Sequence, residues 1–447
     1  MNIAMIHFRV GETDGVSLEM DKWKKILEKN GHNVYYIAGS QGTSKAFVIE
    51  DIKLDNAYWL NKECFEKLEK FDKDSLKKTI INESKKIKDQ FVKFFQDYKI
   101  DLIVPNNIFC LGSGPHIAMG LTQAAKKANA KVVCHHHDFY WERSYFSHPT
   151  TQYVKELLET YYPPNLPNTK HAVINSLAKN DLLKKKGFSA CVVPNAFDFH
   201  GEPWKEDDFN STYRQDLGVS DNQVIFLQAT RVTNRKAIEL AVDLIALLNE
   251  PRFKNQLVGK TLYNGKLFTE DTEFILVLIG LHEGGDGYEN KLIQYANDKQ
   301  IKIIVKPDLV DHSRHHKNGK KIYSLWDSYI HCDIITYPSI YEGWGNQFLE
   351  GLFSKKPQIV FEYSVFESDI KNYGFDYISM GNQYKTKENG LVSIPDNILE
   401  KAANKTIQYL IDKELYSKSG EKNYQIAKKY LSLKSLEKII MPLFDFG

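Results

Sequence analysis

Two glutamates eight residues apart carry the strongest chemical signal in the chain. They lie in YPSIYEGWGNQFLEGLF, residues 337–353, as Glu342 and Glu350. An apolar strand ends at Pro338, a loop holding Glu342, Gly343, Trp344 and Gly345 follows, and a helix starts near Gly345 with Asn346. Glu350 then sits roughly one and a half turns into that helix. Backbone N–H groups exposed at 343–346 could cradle an anion or sugar hydroxyls. Two carboxylates aimed at such a place suit a polyol carrying a phosphate. A solvated Glu342 and a capping Glu350 are the plainer alternative, which the strand–loop–helix context weakens. A second signal is TRVTNRK, residues 230–236, after an apolar strand expected over 223–229. Arg231 can grip phosphate in a bidentate fork and Lys236 can act as a point charge. Arg235 reads as a surface charge at a helix start.

The third is CHHHDFYWER, residues 134–143. Three adjacent histidines and Asp138 invite a zinc reading. Adjacent side chains of a strand point to opposite faces, however, so His135, His136 and His137 do not easily meet one metal. No partner ligand stands at helical spacing. His135 and His136 are better read as packing or bonding locally. The fourth is HFRVGETDGV, residues 7–16, a loop after the first strand. Asp14 can cap the helix that follows. Gly11 and Gly15 do not make a dinucleotide fingerprint. Arg9 is a candidate for an anionic ligand. Asp72 and Asp74 mimic a metal-binding DxD, but they lie in a charged helical stretch with no strand before it. His312, His315 and His316 lie among Arg and Lys in 311–321, a segment that reads as a mobile polar loop.

The elements that must position these residues follow a strand–helix rhythm. Strands are expected at 2–7, 33–38, 101–105, 131–136, 171–174 and 190–194, with helices at 16–27, 115–129 and 176–186 between them. Residues 45–99 are charged and helical and read as an excursion over the surface. Residues 195–222, with Gly201, Pro203 and the acids 206–208, break the rhythm and read as a linker. A second series follows: strands at 223–229, 274–280, 301–305, 332–336 and 357–361, helices at 235–249, 286–299, 320–330 and 345–354, then helices over 396–443. Such alternation indicates parallel sheets wrapped by helices. The expected division is 1–195, 196–425 and a C-terminal helix, 426–447, packing back on the first lobe. Ligands of such sheets bind outside the carboxyl ends of the strands, where the loops above fall.

Composition agrees. With 447 residues, a prior of roughly 150 per domain gives two or three domains. The charges nearly cancel, 59 basic against 57 acidic, which argues against a polybasic nucleic-acid binder. No run approaches the ~20 apolar residues of a membrane span. The start, MNIAMIHFRVGET, has neither the basic region nor the apolar run of a leader, so a cytoplasmic protein is expected. Five scattered cysteines without a CxxC pair make a disulfide framework unlike this chain.

Residues 337–353 resemble the E-x7-E signature of the retaining glycosyltransferases of the two-lobed GT-B fold, family 4. Residues 325–339, LWDSYIHCDIITYPS, resemble the segment before that signature: a helix, a strand opening on Asp333, then Pro-Ser. Gly280 after a strand, with Gly285, Asp286 and Gly287 beyond it, resembles the family's glycine-rich turn. Asn346 stands where an apolar residue is usual, and Trp344 where Phe is usual. The resemblance implies an α/β fold of two Rossmann-like lobes facing a cleft. It implies transfer of a hexose from a nucleotide-sugar to a hydroxyl acceptor, with retention, no cofactor and no metal. Arg231 and Lys236 would hold the diphosphate as it leaves, Glu342 the sugar hydroxyls and Glu350 the ribose. His137 would steady the sugar. Gly11, Gly15, Gly280, Gly343, Trp344, Gly345 and Asn346 would complete the donor site. Arg9, Asp14, Asp138 and Arg143 would face the acceptor. The family spans lipid, polysaccharide and small-solute acceptors; the lack of a membrane span or strongly basic patch favours a soluble small molecule, with an anionic one such as a phosphorylated glycerate or sugar in view. Rivals are a nucleotide-sugar epimerase or phosphorylase on the same fold, and a sugar-binding protein without chemistry. No local signal marks a Schiff-base lysine, and Arg231 with Lys236 exceeds what a neutral sugar needs.

Overall fold

The computed structural model describes residues 1–12, 14–280, 287–311 and 313–446. Gly285, Asp286 and His312, singled out above, lie outside them. The chain forms two compact units, one holding residues up to Ala196 and the segment from Leu433, the other Phe197–Ser432. The crossing at 196–197 stands at the start of the expected linker, and most of the rest of that stretch is packed. Phe199 and Tyr213 are buried in the second unit. Asn210 donates to Asp327 at 2.9 Å, and the Tyr213 hydroxyl bonds Ser328 at 2.7 Å.

Among the described residues, the first unit has one sheet of seven parallel strands: β1 (Asn2–Val10), β2 (Asn33–Gln41), β3 (Phe47–Val48), β4 (Leu102–Pro105), β5 (Lys131–His136), β6 (Thr169–Val173) and β7 (Cys191–Val192). Their order is β3-β2-β1-β4-β5-β6-β7. The chain starts in the middle and winds outward both ways, so the connections leave β1 and β4 in opposite directions. That divergence opens a ligand crevice at the carboxyl ends of those strands. Strands covered on both faces must be apolar throughout. LIVP of β4 is buried at every position.

The segment 45–99 is not a surface excursion. Its second half is the helix Lys73–Asp97, whose Leu76, Ile80, Ile87 and Phe91 are buried in the core over the sheet. The charged residues lie on its other face, which is why composition alone suggested solvent. Asp72, the DxD mimic, caps this helix by accepting the Ser75 N–H at 2.7 Å.

The second unit repeats the architecture with six parallel strands: β8 (Gln223–Gln228), β9 (Glu273–Leu278), β10 (Ile303–Val305), β14 (Ile334–Tyr337), β15 (Gln358–Val360) and β16 (Ile378–Ser379), in order β10-β9-β8-β14-β15-β16. The divergence here lies between β8 and β14. Between β10 and β14 stand β11 (Val310–Asp311), β12 (His315–Lys317) and β13 (Lys320–Ser324), a small sheet in order β11-β13-β12. This corrects two expectations. The polar loop over 311–321 is largely a hairpin, and the helix expected from 320 begins at Leu325. Asn318 and Gly319 both have positive φ, as a two-residue type I′ turn requires. That Asn-Gly pair was the sequence signal for the hairpin. A second hairpin, β17 (Lys385–Thr386) with β18 (Val392–Ser393), precedes the helices Asp396–Ile411 and Lys413–Tyr430.

Because Phe91 is fully buried and Lys85 exposed on the same helix, Phe91→Ala is expected to cost about 3–5 kcal/mol. Lys85→Ala should stay within about 0.5 kcal/mol. Denaturant unfolding measures both, and a Phe91→Ala protein as stable as the parent would remove that helix from the core.

Candidate active site

In the second unit the candidate residues gather where β8 and β14 end. The helix expected over 235–249 is broken. Asn234–Lys236 form a 3-10 turn, Ala237 takes a positive φ of 46°, and the α-helix starts at Glu239. Positive φ is costly for alanine. Here it ends the short turn and leaves Lys236 ahead of the helix rather than on it. The Lys236 ammonium is buried and pairs with Glu342 Oε1. Arg235 Nη1 donates to Glu342 Oε2 at 2.7 Å and to the Tyr341 carbonyl at 3.3 Å. The Ile340 N–H donates to the Arg235 carbonyl at 3.0 Å, so backbone also joins turn to loop. Burial pushes the Glu342 carboxyl up, but Lys236 and Arg235 outweigh it and hold the group below the usual carboxylate range. Burial pulls the Lys236 ammonium below its ordinary value.

Glycine is required at two points of this site. A Cβ on Gly345, at φ 131°, would lie 2.5 Å from the Tyr337 hydroxyl and 2.7 Å from that of Tyr363. Tyr363 in turn donates to the Trp344 carbonyl. A Cβ on Gly280 would sit 1.5 Å from the Thr230 carbonyl, so glycine lets the loop after β9 pass the one carrying Arg231. Trp344 is 3% exposed and its ring belongs to the core. That position therefore offers backbone, not a stacking ring. The helix Asn346–Phe353 carries Glu350, which accepts the Tyr329 hydroxyl at 2.5 Å. Gly343 lies in the loop, half-buried.

In the first unit the candidates gather at the ends of β1, β4 and β5. Asp14 caps the helix Gly15–Lys29 through the Val16 and Ser17 N–H groups, at 3.1 and 3.3 Å. Arg9 lies 3.4 Å from Asp14 and 3.6 Å from Glu12. Gly11 turns at φ 69° against Thr43 and Ser44, whose backbone a Cβ would strike. Gly15 is exposed in the first helical turn. Arg143 pairs with Asp138 at 3.0 Å.

The histidines divide as strand geometry demands. His135 stacks on Trp23, ring centroids 4.2 Å apart, and its Nδ1 meets Asn106 Oδ1 at 3.0 Å. His136 faces the other way and meets His171 of β6 at 3.0 Å. Cys134, His136 and His171 bring possible ligand atoms within 4.8 Å of one another. His136 Nε2 and His171 Nδ1 bond each other, while His136 Nδ1 is buried without a hydrogen-bond partner among the described residues. His137 Nε2 is buried with no hydrogen-bond partner among the described residues. Burial pushes its imidazole down to about 3, so the ring is neutral near pH 7.

Two groups of residues were missed. Asn106 and Asn107 follow β4. Asn107 Oδ1 accepts the His137 N–H at 2.8 Å and the Asp138 N–H at 3.4 Å, fixing that segment. Two asparagines directly after an apolar strand were a readable signal. Arg235, which reads from sequence as a surface charge, bonds Glu342. Only the return of β14 beside β8 reveals it. Among the described residues no helix is long and apolar enough to cross a membrane.

Residues 209–426 match the model of the family described as glycosyl transferases group 1. The mannosylglucosylglycerate synthase of Petrotoga mobilis is 40% identical over 436 residues, covering 97% of this chain and 99% of that protein. The protein of the same description from Thermotoga maritima is 37% identical over 453 residues, covering 98% and 99%. A solved glycosyltransferase from Rickettsia africae shares the fold, with a TM-score of 0.62 at 15% identity over 100% of this chain and 99% of that one. With two full-length relatives and a family match across most of its second unit, this chain belongs to the group 1 glycosyl transferases and is a glycosyltransferase of the GT-B fold.

Proposed function

We propose that the chain transfers a mannosyl group from a nucleotide-mannose to a hydroxyl of glucosylglycerate, with retention and without a metal. The substrates are read from the description of the two relatives, which extend over nearly the whole chain. The observation that carries the site assignment is the Glu342 carboxylate held between Lys236 and Arg235 where β8 and β14 end.

Lys236 and Arg231 take the diphosphate. As the glycosidic C–O bond breaks, its electron pair passes to the leaving phosphate oxygen. Cations fixed near that oxygen stabilise the transition state more than the ground state. The acceptor hydroxyl attacks the anomeric carbon from the face the diphosphate leaves, and the same phosphate oxygen takes its proton. The configuration is thereby kept without a covalent enzyme intermediate. Glu342 receives sugar hydroxyls and Glu350 the ribose, beside the backbone of 343–346. His137, neutral and with Nε2 unpartnered among the described residues, bonds a sugar hydroxyl. The glycerate carboxylate is assigned to Arg9 and Arg143, each steadied by its own aspartate, Asp14 and Asp138. The cations do the work that a divalent ion does in other transferases.

Incubation of glucosylglycerate with UDP-, GDP- and ADP-mannose should yield a mannosylated product with one of them, its new linkage keeping the donor's anomeric configuration by NMR. An inverted product, or none, defeats the reading. Lys236→Ala is expected to lower kcat by on the order of 10²–10³ while remaining folded, since Arg235 still neutralises Glu342. Full activity in a folded variant removes the diphosphate role. Turnover should also survive excess chelator, and loss restored by a single divalent metal would return a metal to the site.

A further inference from the structure

Lys236 is assigned to the donor's diphosphate, yet its ammonium is spent on a buried carboxylate. A lysine that turns from Glu342 to phosphate leaves that carboxylate behind. Breaking a buried ion pair by removing one partner is strongly unfavourable, because an uncompensated charge remains away from water. The protein has a second cation on the same carboxylate. Arg235 Nη1 bonds Glu342 Oε2 at 2.7 Å while Lys236 holds Oε1. Arg235 is also tied to the loop by the Tyr341 carbonyl at 3.3 Å and, through its own carbonyl, by the Ile340 N–H at 3.0 Å. It therefore stays with Glu342 when Lys236 leaves.

We propose that Arg235 is a positioning residue, which keeps Glu342 charged and aimed at the sugar while Lys236 transfers its bond to the donor's diphosphate. The proposal rests on the reading of Lys236 as a diphosphate ligand. One carboxylate facing two cations leaves one cation in surplus, and an incoming diphosphate can take it. The other groups around this centre do not replace Arg235. The Tyr337 and Tyr363 hydroxyls, from the ends of β14 and β15, are neutral, since burial pushes both well above their ordinary range. The Ser339 hydroxyl beside the carboxylate is uncharged. Arg235, and less strongly Arg231, repel the Lys236 ammonium, so Arg231 acts on Lys236 and not as a substitute partner for Glu342.

The sign of the pH effect follows. In the free protein two cations depress Glu342, and in the donor complex Arg235 alone does. Without Arg235, Glu342 titrates at higher pH, and most so in the complex. The kcat profile reports the complex and kcat/KM the free enzyme. For Arg235→Gln the acid limb of kcat should rise by about one pH unit or more, and that of kcat/KM by less. Arg235→Lys, which keeps the charge, should hold the limb near its parental position. Glu342→Gln, with no carboxyl to titrate, identifies the limb. Bare nucleoside diphosphate should bind Arg235→Gln about tenfold or more weakly near neutral pH, recovering as pH falls and Glu342 protonates. Arg235 is partly exposed, so its loss empties no core, and the melting temperature confirms folding. An even loss of kcat at every pH overturns the proposal, as does an unmoved limb or a lysine variant that behaves like the glutamine one. If Lys236→Ala binds bare diphosphate as the parent does, the diphosphate reading itself fails. If Lys236→Ala loses that affinity while Arg235→Gln keeps the parental profile, only the present inference fails.

Discussion

A carboxylate kept from water between two cations is the constraint on which the arrangement of the second unit's candidate site depends. Glu342 is buried, and a buried charge persists only where partners compensate it. Those partners come from a different strand end, more than a hundred residues earlier in the chain. The sheet must therefore place β8 beside β14, although β9, β10 and a small three-stranded sheet intervene in sequence. The local distortions serve the same end. Ala237 breaks the turn behind Lys236, Gly345 lets the loop lie on Tyr337 and Tyr363, and Gly280 lets two loops pass. Each is a backbone geometry held by the packing around it.

The first unit uses neutral groups instead. His7, His135 and His137 are all pushed below their ordinary range by burial, so this end of the sheet holds polarity without charge. Asparagines organise it. Asn106 meets His135 through its side chain and His7 through its carbonyl, and Asn107 grips the backbone of His137 and Asp138. Neutral donors and acceptors suit sugar hydroxyls. The two candidate arginines of this unit, Arg9 and Arg143, lie nearer solvent and are each paired with an aspartate. Among the candidate residues, the buried pair in the second unit is ionic, whereas His7, His135 and His137 in the first are neutral.

Much of this was legible from residue order. Apolar runs of four to six residues between helical periods marked nearly every long strand, because a strand covered on both faces has no polar side to hide it. The helix 176–186 and the strand 131–136 fall where the periodicity placed them. The E-x7-E segment was readable because strand, loop and helix are contiguous there. Errors arose where two local signals competed. In 311–321 the charge density suggested a loop, although the Asn-Gly turn specified a hairpin. Over 45–99 the lysines outweighed the apolar stripe of Leu76, Ile80, Ile87 and Phe91.

Sequence by itself determined the class of fold, the strand ends where the candidate residues fall, and the types of group available there. These are local properties, set by periodicity, turn residues and side-chain chemistry within a few positions. Only the tertiary structure decided which groups face one another. It set Arg235 on Glu342, His136 on His171, Asn107 on His137 and Tyr329 on Glu350. Each of these pairings is between residues 21 to 107 positions apart. The physical reason is that the order of strands in a sheet is not written in any one strand. It is chosen by how all the apolar faces are buried at once, and the pairing of charges follows from that choice.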